Sequence, residues 1–437
     1  MSNAVRIPLL YGFMLAALAG VGFLDSWPLA LSILNMCLIH AIMALGVNMA
    51  WGYGGIFNVG TMGFAALGGV AAVLVSTPPR GEAWSAGGLS LLSAGLSLAV
   101  TVAAVGWLRG RLRPGRSRAA VTTVAVILGY VITRQFFDPA VEAIEATNPA
   151  QFGNIGGLGL PIILSWAVGG VFAAGAAWLV GKIALGLRSD YLAIATLGIS
   201  EIVIAMLKNE DWLTRGVKNV TGLPRPVPYE IELQQAQWFL DFAASVGMGP
   251  VEASTIFVRL SYALLFLVVL VIVTWFAERA LTSPWGRMMR AIRDNRDAAE
   301  AMGKDVTARH LQLFVLGSAV VGVAGAMLTT LDGQFTPGSY NPLRFTFLIW
   351  VMVIVGGSGN NWGSILGGFL IWFLWIQAET AGPRLVEALT AGMDPASPFV
   401  SRLEDAVLYT RLFIMGLVLL VVLRFAPRGL IPEVVRR

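Results

Sequence analysis

The chain has 437 residues, of which 57% are hydrophobic and 13% charged, with a mean hydropathy of +0.74. A soluble fold carries about 25% charged residues and needs them to cover its surface, so a water-soluble enzyme or nucleic-acid binder is excluded. The net charge of +5 and pI near 9.5 instead reflect Lys and Arg gathered on one side of a bilayer. Cys37 is the single cysteine, and His40 and His310 are the only histidines. No internal disulfide, no Cys-cluster metal site and no cofactor is therefore expected. His40, inside an apolar run, reads as a packed side chain.

A hydrocarbon core of about 30 Å takes roughly 20 helical residues. On that measure the candidate spans are 7–24, 28–50, 58–75, 89–108, 119–137, 161–187, 191–207, 256–277, 311–331, 345–356, 362–378 and 410–425. The expected class is all-α and polytopic, with about ten to twelve crossings, some discontinuous, and 1–437 forming a single transmembrane domain. Short alternating segments, the mark of an outer-membrane barrel, are missing. The first apolar run follows Arg6 like a cleavable leader but continues to Leu24, so it reads as a retained helix.

Basic residues set the orientation. Arg109, Arg111, Arg113, Arg116 and Arg118 crowd one short loop, and Lys182 and Arg188 mark a second. The segment 279–310 carries a third group, and Arg424, Arg428, Arg436 and Arg437 a fourth. Placing all four in the cytoplasm lets the spans alternate, with N- and C-termini inside. The segment 208–255, rich in Glu and Asp, then faces outward. No stretch between spans reaches the usual size of a folded domain, which argues against an enzyme.

Two glycine-rich breaks interrupt apolar runs. The first holds Gly52, Gly54, Gly55, Asn58 and Gly60; the second runs from Gly356 to Gly363. Each glycine weakens a helix by about 1 kcal/mol relative to Ala. Such a break at membrane depth survives only inside protein or against a water-filled cavity. Two readings stay open for each: a tight turn between helices, or a discontinuous helix offering backbone groups to a substrate. Both breaks bring Asn close to Trp-Gly, a faint sign of internal repetition. Gly363 and Gly367 also form a GxxxG packing face.

The segment 283–303 reads as an amphipathic helix, with Ser283 as cap, Pro284 in its first turn and Gly303 at its exit. Trp285, Met288, Met289, Ile292, Ala299 and Met302 fall on its apolar side, and Asp294-Asn295 offers a breaking point. Its mixed charge suits docking to a protein better than lying on anionic lipid. Ionisable groups inside spans are few. Glu201 is a functional candidate by its cost of insertion, with pairing to Thr196 or Ser200 as the structural alternative. Neither Gly-Lys pair has the spacing of a phosphate-binding loop, so ATP, if used, is hydrolysed by another subunit.

Several of these stretches, in order, resemble the LivM-type permeases of branched-chain amino-acid ABC importers. They are Gly46–Gly60, Leu187–Ile202, Ser283–Asn295, Gly356–Gly363 and Arg424–Leu430. The resemblance implies a permease of the bacterial inner membrane, working with a second LivH-like permease, two ABC ATPases and a periplasmic solute-binding protein. Asp297-Ala298-Ala299 with Gly303 is similar to the motif by which such permeases engage their ATPases, with Asp in place of Glu. The implied docking residues are Arg287, Arg290, Arg293, Asp297, Ala298, Ala299, Glu300 and Gly303. The implied pathway is Gly52, Gly54, Gly55, Asn58, Gly60, Thr196 and Glu201. The expected substrates are branched-chain or related small amino acids. Urea or short amides are the alternative within the family, and a stand-alone secondary carrier the alternative outside it. The loop 109–118 and the insert 380–409 have no counterpart in the resemblance.

Overall fold

The computed structural model describes residues 3–149, 153–391, 393, 397–407 and 409–433. It is almost wholly helical. In chain order, α1 (Asn3–Leu24) and α2 (Trp27–Val47) form a first pair, and α2 runs on as a π-helical turn, Asn48–Gly52. Next come α3 (Thr61–Ser76) and a single turn, α4 (Gly81–Ala83), which continues through a second π segment into α5 (Leu89–Arg111). Then follow α6 (Arg116–Ala146), α7 (Ile162–Ala184) and α8 (Ser189–Asn209). The acidic connection holds α9 (Asp211–Thr214), α10 (Glu230–Gln235) and α11 (Gln237–Val246). The remainder is α12 (Pro250–Thr282), α13 (Pro284–Asp294), α14 (Arg296–Ala301), α15 (Val306–Asp332), α16 (Phe347–Gly356), α17 (Asn361–Thr390), α18 (Pro398–Val407) and α19 (Thr410–Phe425). A two-residue ladder, β1 (Val220–Thr221) with β2 (Gln334–Phe335), pairs antiparallel with Val220 opposite Phe335.

Eight of the described helices are long and apolar enough to cross a membrane, or ten if each of two bent pairs is one crossing. Two expected spans fall short. The run 58–75 yields α3, which starts only at Thr61, and the run 345–356 yields the ten-residue α16, about 15 Å long. Hydropathy cannot separate a half-length buried helix from a crossing, because both are continuously apolar.

The centre is α2, α3, α7 and α15, with α16 and α17 against α2. Lipid supplies no hydrophobic drive between helices, so contact depends on small residues that let backbones approach. A Cβ on Gly68 of α3 would meet the Gly322 carbonyl of α15; one on Gly322 would meet Gly169 of α7; one on Gly325 would meet Ala65. The GxxxG face of α17 packs as expected, with Gly363 against Gly356 and Gly367 against Met352 of α16. His40 is buried, stacked on Trp372 with ring centroids 3.8 Å apart and its Nδ1 2.8 Å from the Met36 carbonyl. α5 and α6 form a hairpin outside this centre, joined by Ser97 and Thr133 hydroxyls at 2.9 Å. Its outer faces are apolar and exposed, as a helix surrounded by hydrocarbon requires.

The two ends of the bundle separate cleanly. At one end, here the basic end, Asn3 bonds Pro432, Arg293 reaches Gly52 and Glu433, and Trp285 bonds Gln312. At the far end, Ile155 bonds Trp212, Leu223 bonds Gly333, and Arg384 pairs with Asp25. The alternation expected from the sequence is consistent with this grouping.

Candidate functional site

The densest polar cluster sits at the basic end, where α13 meets both glycine breaks. Ser283 caps α13, its hydroxyl accepting from the Gly286 amide at 3.3 Å, and Pro284 occupies the first turn. Gly286, Met289 and Ile292 face inward. The helix stops where the sequence suggested. Asn295 leaves helical geometry, and its Oδ1 accepts from Ala298 N at 3.0 Å, so it caps α14 as well. The turn at Asn295 rotates the following face: Ala299 is half-buried, and Met302, expected on the apolar side, is 79% exposed. α14 buries no residue, so Asp297, Ala298 and Glu300 all lie on the surface. Gly303 closes the segment with φ +76°.

The arginines of α13 point back into the protein. Arg287 donates to the Thr282 carbonyl at 3.1 Å and Arg290 to the Leu281 carbonyl at 3.2 Å. Both satisfy carbonyls left over at the C-terminus of α12. Arg293 does more. Its Nη1 donates to the Gly52 carbonyl at 2.6 Å and to Glu433 at 3.0 Å, while Nε reaches Asp294 at 3.0 Å. Burial works against the Arg293 charge, but the hydrogen bond and proximity of Glu433, then Asp294, hold its pKa above the ordinary arginine value.

Gly52 in turn belongs to a knot that ties the two breaks together. Asn48, fully buried, accepts from Gly359 N at 2.8 Å and donates to Asn361 Oδ1 at 3.2 Å. Tyr53 OH donates to the same oxygen at 3.1 Å, and Asn361 Nδ2 reaches Glu278 at 3.0 Å. Burial, then the charge of Glu278, pushes the Tyr53 phenol well above its usual pKa. Gly357 (φ +122°) and Gly359 (φ +76°) supply backbone geometry other residues rarely adopt. Asn360 caps α17 through Trp362 N and Gly363 N, and its amide donates to Pro432 O. Leu430 and Ile431 amides donate to Val355 and Gly356, both at 2.8 Å.

Beyond Gly52 the first break runs non-helically to Gly60. Gly52, Gly54, Asn58 and Gly60 are buried, and Gly55 and Phe57 are exposed, so protein covers most of this stretch of backbone. Asn58 Oδ1 accepts from Gly60 N at 2.9 Å, and Trp350 donates to the Asn58 carbonyl at 3.1 Å. Trp51 and Phe57 both pack on the Trp350 ring at 4.6 Å.

Thr196 on α8 meets the end of this break. Its hydroxyl accepts from Val59 N at 3.0 Å and donates to Ala193 O at 3.0 Å, and the Gly60 backbone lies against it. Thr196 is therefore not paired with Glu201. Glu201, some 18 Å along α8, is exposed, together with Gly198, Ile202 and Met206. α8 packs through the stripe Leu192, Thr196, Ser200, Ile204, Leu207 and leaves its other face open. The structure thus joins Gly52, Asn58, Gly60 and Thr196 into one buried strip, and places Glu201 and the α14 residues on separate surfaces. Among the described residues no group of three His, Cys, Asp or Glu is arranged to hold a metal. Glu433, Glu278, Asn48 and Asn361 were not singled out from the sequence as site residues, although an Asn or Glu within an apolar run is itself a signal.

Comparison with known proteins places this geometry in context. Residues 146–423 match the family described as "Branched-chain amino acid transport system / permease component". The chain is 25% identical to the probable branched-chain amino acid transport permease protein LivM of Methanocaldococcus jannaschii, over 90% of this chain and 91% of that one. It is 30% identical to the high-affinity branched-chain amino acid transport system permease protein LivM of Salmonella typhimurium, over 52% of this chain and 53% of that one. A shorter match, 27% identical over 28% of this chain and 41% of the relative, is to a probable LivH permease of M. jannaschii. No solved structure matches the chain.

Proposed function

Since the chain belongs to the permease family of branched-chain amino-acid transport systems, we propose that it is one of two membrane subunits of an ATP-driven importer for branched-chain or related small amino acids. The basic end is the cytoplasmic end, by the bias of Lys and Arg. A solute-binding protein approaches from the other side, where the acidic connection between α8 and α12 lies, and two ATPases engage α14 from within.

The observation that carries this reading is the Arg293 bridge. It links a short helix pair with an outward surface (α13 and α14) to the carbonyl of a helix break inside the bundle. A push on α14 moves α13, and Arg293 passes the movement to Gly52. The Asn48–Gly359–Asn361 knot then carries it to the second break, so both breaks act as paired hinges. Nucleotide binding drives the cycle because the ATPases bind one arrangement of α14 more tightly than the other.

Glu201 marks the route. A carboxylate at mid-span is too costly to face lipid, so the open face of α8 lines an aqueous path or meets the second permease beside it. The mostly buried first break is a hinge rather than a lining, open only at Gly55 and Phe57.

The test is reconstitution in proteoliposomes with the second permease, the ATPases and the binding protein. ATP-dependent uptake of L-leucine that needs every component is expected. Asp297→Lys and Ala298→Arg, on the exposed α14, should release the ATPases during purification without lowering the Tm of the permease. Accumulation of leucine by this chain alone on an ion gradient would make it a secondary carrier and end the proposal.

A further inference from the structure

A cavity of about 830 Å³ opens between the start of α16, the far half of α17 and the first turns of α19. Much of its wall is apolar, including Phe347, Leu348, Leu412 and Met415. Set into that wall is an ion pair between Arg411 of α19 and Glu379 of α17, with the Arg411 guanidinium 5.4 Å from the centre of the Trp375 ring. The Arg411 side chain is 23% exposed and that of Glu379 60%. The cation is thus fixed against the wall while the carboxylate remains free to swing.

Two uses of such a pair compete. As a brace between α17 and α19 it would do little, since a half-exposed ion pair contributes little stability. A brace also gives no reason for an open space beside it. As a recognition device it fits well. The volume lies within the roughly 300–1,000 Å³ of small-molecule sites, which are mostly apolar with a few convergent polar groups. A cation and an anion presented together at an apolar pocket match one ligand chemistry, a small zwitterion with an apolar tail. The planar guanidinium takes a carboxylate through two parallel bonds. The freed Glu379 takes an ammonium group, so the ligand's two charges replace the Arg411–Glu379 contact and neither is left bare. A urea or amide carries no charges to make that exchange.

We propose that this cavity binds an α-amino acid, with Arg411 on its carboxylate, Glu379 on its ammonium and the Phe347–Leu348–Leu412–Met415 wall around a branched side chain. The proposal rests on the transport reading above and places an early stop for the solute at the far end of the bundle. The segment before α16, at the mouth of the cavity, touches both α3 and α8.

Calorimetric titration of the purified pair of permeases in nanodiscs, without the binding protein, tests it. L-leucine should bind saturably, whereas 4-methylpentanoate, 3-methylbutylamine and isovaleramide, each lacking one or both charges, should bind at least about tenfold more weakly. Arg411→Gln and Glu379→Gln should each weaken leucine by about tenfold or more. The apolar pair Arg411→Met with Glu379→Leu should abolish binding while keeping Tm. Arg411→Lys guards against a folding artefact: it preserves the brace but not the two-pronged contact, so leucine binding should still fall at unchanged Tm. No leucine binding by the natural pair, equal binding of the half-charged analogues, or full binding by Arg411→Lys or the apolar pair would overturn the site. Leucine uptake by the complete transporter separates the two levels. Unchanged uptake by the apolar pair removes the cavity and leaves the permease standing; no uptake by the natural complex removes the transport reading itself.

Discussion

Replacing Arg293 by alanine is the sharpest perturbation of the joint between α13 and the helix break. Its Nη1 makes two bonds, 2.6 Å to the Gly52 carbonyl and 3.0 Å to Glu433. A hydrogen bond from a charged donor contributes about 1.5–3 kcal/mol net, and Gly52 is buried, so water does not readily replace the lost partner. Both side chains of the Glu433 pair keep about a fifth of their surface in water (23% and 20%), which limits that contact to about 0.5–1 kcal/mol. Asp294 is 67% exposed and adds nothing measurable. The link is therefore worth about 2–4 kcal/mol, a bias of roughly 30- to 800-fold toward a break that follows α13. If α14 engages the ATPases as proposed, the variant leaves that surface in place, so ATP hydrolysis should continue while transport lapses. In proteoliposomes, leucine moved per ATP should fall at least about tenfold in Arg293→Ala. Arg293→Lys should be intermediate, because an ammonium has donors enough for both acceptors but sits on a shorter chain and loses the Nε contact to Asp294. Glu433→Gln should stay within about fivefold. The reasoning fails if Arg293→Ala keeps the natural ratio. It fails equally if Glu433→Gln is as damaging, since the tail and not Gly52 would then carry the coupling.

Four further outcomes follow from particular positions. Gly68→Ala pushes a Cβ into the Gly322 backbone, which cannot step aside; a loss of about 1–3 kcal/mol is expected, read as a lower Tm in detergent. Gly175→Ala on α7, where no atom lies within 4 Å of the new Cβ, should leave Tm unchanged or slightly raised. Asn48→Ala strands the buried Gly359 amide and should cost about 1–3 kcal/mol; a double-mutant cycle with Asn361→Ala should show a coupling energy because the two side chains bond directly. Glu201→Leu should reduce uptake without lowering Tm, since the side chain is exposed, and full uptake in that variant would remove Glu201 from the pathway.

Much of the helical plan was legible because it depends on local composition: long apolar runs, the cap Ser283, the break at Asn295 and the Gly363–Gly367 face all behave as their neighbours in sequence dictate. What escaped depends on partners far along the chain. Arg287 and Arg290 read on a helical wheel only as part of a mixed-charge face, and no wheel displays the spare carbonyls of the preceding helix that they also serve. The Asn48–Asn361 bond joins residues 313 positions apart. Periodicity carried Met302 onto the apolar side because it assumed a straight axis through Asn295, where the chain turns. The half-length of α16 was hidden for a different reason. A helix buried among others and one crossing lipid show the same unbroken hydrophobicity, and only the packing of Trp350 against the first break tells them apart.

The bundle divides its contacts by kind, and that division bears on which parts can move. Around Gly68, Gly169 and Gly322 the helices touch backbone to backbone, and such contacts cannot slide without gaps or collisions, so α3, α7 and α15 behave as one rigid block. At the basic end the Gly356–Gly363 seam is joined by a network of side chains, Asn48, Tyr53, Glu278, Asn361, Arg293 and Glu433, that the central seam lacks. Asn48, Tyr53 and Asn361 are buried, but Glu278, Arg293 and Glu433 are partly exposed, and there water can stand in for a partner during a rearrangement. A joint of this kind has discrete alternatives, whereas a glycine-packed seam has one. Because Asn48 binds both Gly359 and Asn361, the first break cannot shift without the second responding. A push on α14 therefore meets a stiff block flanked by one polar hinge line, and the movement is confined to the two breaks that the hinge line contains.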